Sequence, residues 1–118
     1  MPYEKKRSEV FANSFKDVYR AAFVCAKELG GKILKNEPDQ KELHVQMNKR
    51  IKGETLGDRS KFEMSFEDDV PEQTTINIFA YPLNAVGQKL MFGARKGVVE
   101  RAMTIFLDEV RKRLETAQ

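Results

Sequence analysis

The residues best suited to chemistry are cations set among glycines in the run 87–97, which leads into the last predicted helix. Backbone N–H groups at a helix N-terminus, together with the helix dipole, attract anions, and lysine or arginine strengthens such contacts. The run is not a P-loop, because Val98 and Val99 follow its last glycine where Lys-Ser or Lys-Thr would stand. A flexible connection with solvated cations is the plainer alternative. The residues predicted for an anion or phosphorylated-ligand site are Lys89, Gly93, Arg95, Lys96 and Gly97.

Apolar side chains within and near this run indicate a second kind of site, a protein-interaction surface. We favour a role for Leu90, Met91 and Phe92 in covering the core or the sheet edge; exposed, they would form a patch that marks a partner or self-association site. Phe79 and Tyr81 lie on the predicted outer face of a strand, where we expect them to pack under the long loop or at a dimer contact. Together these side chains form the predicted interaction surface.

The outer face of the predicted sheet also has features of surfaces that bind single-stranded nucleic acid. Some RNA-binding domains stack bases on sheet aromatics that lie beside basic side chains. Here the spacing of the ribonucleoprotein motif is absent, and 18 acidic residues are interspersed among 21 basic ones, with a net charge of +3. Nucleic acid is therefore a partner that the sequence allows without favouring. Beside Phe79 and Tyr81, the side chains predicted on this face are His44, Gln46, Asn48, Arg50, Lys61, Glu63, Thr75 and Asn77.

The sequence offers no residue set for catalysis or for a metal. His44 is the only histidine, and no thiol or second histidine accompanies it in the pattern. Cys25 falls on the apolar face of the first predicted helix, which predicts an inert core thiol. The acidic stretch 67–69 lacks the Asp-x-Asp-x-Asp-Gly spacing of a calcium loop. We therefore predict a protein that is not an enzyme and needs no metal and no cofactor.

Two amphipathic helices are predicted to frame these residues. The last helix, about 95–117, has an apolar stripe whose members recur at steps of four and three. The first helix follows Ser14, which forms a capping box with Asp17, and it ends at Gly30, since glycine adopts the left-handed C-cap conformation without steric cost. The apolar stripe of the last helix comprises Val99, Met103, Phe106, Val110 and Leu114.

Alternation of apolar and polar residues predicts the strands of an antiparallel sheet. A long connection, 83–97, joins the last strand to the last helix. The predicted order is β-α-β-β-β-β-α, which favours an α+β fold: a two-layer sandwich with an antiparallel sheet of four to five strands and two helices on one face. We expect a single domain, 1–118. A short first strand is predicted to end at Val10–Phe11. The other predicted strands are Ile33–Leu34, Leu43–Met47, Phe62–Phe66 and Thr74–Tyr81, with turns or loops at 37–40, 52–58 and 67–72.

This order of elements resembles small β-α-β-β-β-α domains of unknown function, many of them bacterial lipoproteins or periplasmic proteins. The resemblance extends more distantly to the repeated domains of the outer-membrane assembly lipoprotein BamC. It implies a fold and a bacterial source more than an activity, since it brings no catalytic motif. The lipoprotein signal and its cysteine are absent from this sequence. The residues that carry the resemblance are Phe11–Ala22, Leu29–Ile33, Thr75–Phe79 and Phe92–Gly93.

The sequence also limits the expected location. It has no apolar run of membrane-spanning length, and no hydrophobic signal-peptide segment follows Met1. A single cysteine forms no internal disulfide. We therefore expect a cytoplasmic protein with no membrane span. Removal of a signal peptide would leave the same sequence, so an envelope location stays open.

The function that fits these observations best is a small non-catalytic module that binds a protein partner or forms a homo-oligomer such as a dimer. The alternative is a binder of phosphorylated ligand or nucleic acid that uses the loop 87–97 and the outer sheet face. A third hypothesis is an apolar ligand enclosed between the sheet and the helices.

Overall fold

A five-stranded antiparallel sheet and two helices make up the computed structural model, which describes residues 3–116. In chain order the elements are β1 (Lys5–Phe11), α1 (Phe15–Glu28), β2 (Lys32–Glu37), a 3-10 turn (Pro38–Gln40), β3 (Glu42–Met47), β4 (Arg50–Ile51), β5 (Glu54–Thr55), β6 (Arg59–Val70), β7 (Gln73–Leu83) and α2 (Val98–Thr116). The sheet order is β1-β7-β6-β3-β2, and β4 pairs with β5 in a separate hairpin. This arrangement confirms the predicted α+β class. Neither helix in the described part of the chain is long and apolar enough to cross a membrane.

Burial confirms the predicted alternation of the strands. Phe62 on β6 and Phe106 on α2 are fully buried, and their rings meet edge to face with centroids 5.7 Å apart. Such contacts fill the space between β6 and α2, which counts against an apolar ligand enclosed there. The buried strand residues include Leu43, Val45, Met47, Phe62, Met64, Phe66, Ile76, Ile78 and Ala80.

Both predicted ends of α1 are confirmed. Ser14 Oγ accepts a hydrogen bond from the N–H of Asp17 at 3.3 Å, which is the capping contact that the sequence predicts. At the other end Gly30 has a φ of +87°, and the Gly31 N–H donates to the Ala26 carbonyl at 2.8 Å. These contacts satisfy backbone groups that the helix ends would otherwise leave unpaired.

The start of the last helix was predicted too early, since α2 begins at Val98 and not near residue 95. The carbonyl of Gly97 accepts the first helical hydrogen bond, from the Arg101 N–H at 3.0 Å. The Arg95 N–H instead donates to Asp58 Oδ2 at 2.9 Å, which holds this residue outside the helix. The predicted end at Ala117 lies outside the described residues. The apolar stripe is confirmed, because its predicted members Val99, Met103, Phe106, Val110 and Leu114 are all buried.

The predicted turn 67–72 is wrong in length. Strand β6 continues to Val70 and β7 starts at Gln73, so Pro71 and Glu72 alone form the turn. The register shifts between Glu67 and Val70, where a β-bulge or irregularity absorbs the additional residues of β6. The acidic stretch therefore belongs to a strand end.

Strand β7 also extends further than predicted, through Pro82 to Leu83. Its pairing with β1 ends at the Lys5–Ala80 pair, whereas its pairing with β6 continues beyond that point. A proline at position 82 is tolerated because β1 no longer needs a backbone N–H there. The connection to α2 accordingly begins at residue 84.

The predicted loop 52–58 contains β5, which forms a hairpin with β4 directly before the loop. Charged side chains of this hairpin contact α2. Arg101 on α2 donates two hydrogen bonds of 2.9 Å to the carboxylate of Glu54. Lys52 forms an ion pair with Glu109. These contacts hold the hairpin against α2 between Arg101 and Glu109.

Protonation of Glu54 should loosen this hairpin. The hydrogen bond and charge of Arg101 lower the pKa of Glu54 from its ordinary value of 4.5. Because the folded-state pKa is lowered, the stabilisation is present above pH 4.5 and is lost as the pH falls through the lowered pKa. The Leu56 N–H donates to the Lys49 carbonyl at 2.7 Å in this hairpin. After correction for intrinsic rates, we expect its hydrogen exchange to be faster below the lowered pKa of Glu54 than above it. Glu54→Gln should remove the pH step; a step of equal size in this variant would contradict the prediction.

Candidate functional site

Residues 84–97 connect β7 to α2, and their first part forms a defined turn. Asn84 organises it, since its Oδ1 accepts hydrogen bonds from the N–H groups of Val86 at 3.0 Å and Gln88 at 2.9 Å. The Asn84 N–H donates in turn to the Gln88 carbonyl at 2.7 Å. This part of the loop is therefore held by its own hydrogen bonds, contrary to the alternative of a wholly flexible connection.

Two neighbouring residues attach the loop to the rest of the fold. Arg59 Nη2 donates to the carbonyls of Asn84 at 3.0 Å and Ala85 at 2.8 Å. Asp58 accepts the Arg95 N–H near the other end of the loop. Sequence reasoning missed both roles; the available signal was that these two charged residues directly follow Gly57, the second glycine of the predicted loop 52–58. The base of the loop is thus fixed at two points.

Arg59→Met should loosen the loop while it keeps the apolar part of the side chain. Hydrogen bonds to charged groups contribute about 1.5–3 kcal/mol each when buried. Because the two bonds from Arg59 are partly exposed, we expect their loss to lower the free energy of local loop opening by about 1–3 kcal/mol in total. Hydrogen exchange at the N–H groups of Val86 and Gln88 should accelerate accordingly. Arg20→Met, at an exposed position of α1, is the matched control and should leave these rates unchanged. Equal exchange rates in both variants would contradict the role of Arg59 in holding the loop.

The residues predicted for an anion site are not brought to one place. Lys89 Nζ forms an ion pair with the carboxylate of Glu4, and this hydrogen bond lowers the pKa of Glu4. Gly93 lines a different cavity from the one that the remaining three residues line. The residues that do share a cavity are Arg95, Lys96 and Gly97. An anion site that uses all the predicted residues is therefore not formed.

Two cavities flank the loop. The larger, which we call the end cleft, has a volume of about 650 Å³ and is lined largely by polar residues, among which Arg59 and Asp58 already bond the loop. The smaller, which we call the α2 cavity, has a volume of about 250 Å³ and lies beside the first turn of α2. Lys5 and Glu100, which form an ion pair of 3.4 Å, stand at its border. Its apolar wall consists of Tyr3, Pro82, Ala94 and Val99.

Three apolar side chains of the loop face solvent; we call them the apolar tip. Val86 is 77% exposed, Met91 48% and Phe92 85%. The expectation that Met91 and Phe92 cover the core is wrong, while Leu90 is half-buried. The reason is that β7 and α2 already close the core at this end, where Leu83 and Val98 are buried. The apolar side chains of the tip therefore have no core surface left to cover.

Phe79 and Tyr81 lie on the outer sheet face, with ring centroids 5.7 Å apart. Lys89 from the loop lies 4.6 Å from the Tyr81 centroid, so the predicted packing of Tyr81 under the loop is confirmed. Lys6 lies 5.8 Å from the Phe79 centroid. Because lysines already occupy positions over these rings, base stacking there would require their displacement.

Polar partners further restrict the outer face. The Tyr81 hydroxyl donates to Glu63 Oε2 at 2.8 Å, and burial, followed by this bond, raises the pKa of Tyr81 to about 12. Burial lowers the pKa of His44, which pairs with Glu63 across the strands. Within residues 3–116 no group of three or more His, Cys, Asp or Glu side chains is arranged to hold a metal ion.

Comparison with known proteins finds similarity to solved structures. No protein-family model matches the chain, and no curated protein matches it. Twelve solved chains are similar, among them the structure titled "Crystal structure of Ara h 8.0201". That match covers 96% of this chain and 98% of the other, with 8% identity and a TM-score of 0.48. A likeness at this level supports no conclusion about what this chain binds.

Proposed function

We propose that this chain is a non-catalytic protein-interaction module that binds its partner through the apolar tip. The observation that carries the proposal is Phe92, which is 85% exposed on a loop whose base is fixed. Burial of a phenylalanine side chain is favourable by about 1.5–3 kcal/mol, so a partner that covers this ring gains that free energy. We place the module in the cytoplasm, which agrees with the free, buried thiol of Cys25.

The fixed base of the loop makes the apolar tip suited to binding. The contacts of Arg59 and Asp58 restrain the segments on both sides of Met91 and Phe92 before any partner arrives. Binding then orders few additional groups, and less of the interaction free energy is lost to conformational entropy. Exposed aromatic and methionine side chains on a restrained loop are typical anchors of protein interfaces.

A second candidate function is the binding of a phosphorylated ligand or nucleic acid. It is favoured by the α2 cavity, where Arg95, Lys96 and Gly97 lie together beside the first turn of α2. It is opposed by Glu100, an acidic residue in that turn. Titration with inorganic phosphate and single-stranded RNA distinguishes the candidates, since binding that weakens steeply with added salt would favour this one.

Photo-crosslinking tests the leading proposal. With p-benzoyl-phenylalanine in place of Phe92, irradiation of living cells should give covalent adducts between this chain and another protein chain. The matched control places the same group at Val70, an apolar residue that is 50% exposed at the far end of β6. Adducts at position 92 that are absent at position 70 support the proposal. No adducts at position 92, or equal adducts at both positions, would overturn it.

A further inference from the structure

We propose that the partner of the apolar tip is a second copy of this chain, with Phe92 of each copy entering the α2 cavity of the other. This inference rests on the proposed function, because it names the occupant of the same surface. It is carried by an exposed ring and a cavity of matching size that lie side by side on one loop.

The α2 cavity has the size and chemistry to hold a phenyl ring. It is a half-open depression with a volume of about 250 Å³, and an enclosed apolar cavity of about 150 Å³ is enough to bind benzene, so a phenyl ring fits by size. Pro82 on β7 and Val99 on α2 are buried, so this part of the cavity wall is fixed by the sheet and the helix. Lys96 lines the cavity and is exposed, so its ammonium group can lie over the face of an inserted ring.

The position of the ring relative to the cavity favours a closed dimer. Phe92 is largely exposed and so does not fill the cavity of its own chain. Ala94, which lines the cavity, is two residues away, and two residues span at most about 7 Å. A twofold axis beside the loop therefore brings each ring to the cavity of the other copy at the same time. Such a self-complementary contact closes on itself and does not propagate into a filament.

The area available predicts a weak dimer. Each inserted phenylalanine buries about 150–250 Å², to which the rest of the tip adds Met91 and Val86. Interfaces below about 1,200 Å² in total are characteristic of weak or transient complexes. We therefore expect a dissociation constant in the micromolar to millimolar range, and sedimentation velocity should cover about 10 µM to 1 mM.

Two variants separate the ring from the cavity. Phe92→Ser removes the inserted ring, and Ala94→Phe fills the cavity while it keeps Phe92. Each variant loses both insertions of its homodimer, so each should raise the dissociation constant at least about 100-fold. Val70→Ser, at an exposed apolar residue away from the loop, should leave it unchanged. Circular dichroism checks folding, and Ala94→Leu is the second cavity-filling variant if Ala94→Phe does not fold.

A mixing experiment gives the sharpest test. Phe92→Ser keeps an open cavity and Ala94→Phe keeps a ring, so a heterodimer of the two restores one insertion. Titration of fluorescently labelled Phe92→Ser with Ala94→Phe should show binding about tenfold tighter than either variant shows with itself. Mixed binding no tighter than that of the separate variants would overturn the inference.

The outcomes also separate this inference from the proposed function. A wild-type chain that stays monomeric to about 1 mM overturns the second-copy inference, while crosslinks from position 92 to a different protein leave the proposed function standing. Dimerisation that Phe92→Ser abolishes and Ala94→Phe does not would likewise overturn only the insertion into the cavity. Binding to anionic phospholipid vesicles that depends on Phe92, with no protein adducts, would overturn both proposals.

Discussion

Phe106→Ala is expected to lower the free energy of unfolding by about 3–5 kcal/mol, a large share of the 5–15 kcal/mol typical of a domain. Phe106 is fully buried, and its ring packs edge to face against Phe62 across the layer between α2 and β6. Removal of the ring loses the transfer free energy of the apolar group and leaves a cavity. The strands beneath it are held in register by antiparallel pairing on both sides of β6, so they close that cavity only in part.

Urea unfolding followed by circular dichroism measures this effect. Phe92→Ala is the matched control, since it makes the same chemical change at a side chain that is 85% exposed, and we expect a change within about 0.5 kcal/mol. The two variants together test the assignment of one phenylalanine to the core and the other to the surface. A loss below about 1 kcal/mol for Phe106→Ala, or equal losses for both variants, would contradict that assignment.

The fold class could be predicted because burial follows a period that the sequence records. The steps of four and three in α2 and the alternation from Leu43 to Met47 each repeat several times, so a single exception does not obscure them. The start of α2 could not be predicted in this way. It depends on a hydrogen bond from Arg95 to Asp58, which lie 37 positions apart, and no local pattern indicates that contact.

The candidate site could be located from the sequence but its contacts could not. The run 87–97 is visible because it is rich in glycine and has no apolar period. Which of its cations finds a carboxylate depends on the tertiary fold, since Lys89 pairs with Glu4 at a separation of 85 positions. The exposure of Phe92 depends equally on whether other elements have already closed the core. An apolar residue in a loop is consistent with either outcome when the sequence is read alone.

The abundance of charged residues, at 33% of the chain, acts largely within the molecule. Ion pairs connect α2 to elements on both sides of it: Arg111 contacts Glu9 on β1, and Arg113 contacts Glu28 on α1. Exposed pairs of this kind contribute little stability each, but they use cations that would otherwise attract a polyanion. The mildly basic net charge is therefore weak support for nucleic-acid binding, in agreement with the preference for a protein partner.

The thiol of Cys25 is expected to react with a thiol reagent at least about 10³-fold more slowly than an exposed cysteine. Its side chain is 2% exposed, and burial raises the pKa of Cys25 to about 11. Because the thiolate is the reactive form, the folded state at pH 8 offers few ionised thiols and no access to them. The absorbance of released thionitrobenzoate measures the rate. The control carries Cys25→Ala with Ala12→Cys, which moves the thiol to an exposed position.

The same reaction tests whether α1 and α2 unfold as one unit. Cys25 lies in the last turn of α1, and the helices contact each other directly. If labelling requires global unfolding, Phe106→Ala must accelerate it by the change in the unfolding constant, about 100- to 4,000-fold for 3–5 kcal/mol. Local opening of the end of α1 would expose Cys25 without disturbing Phe106. The labelling rate would then be the same in the wild-type protein and in Phe106→Ala. That equality would contradict a single cooperative core and show that α1 opens independently of the α2 packing.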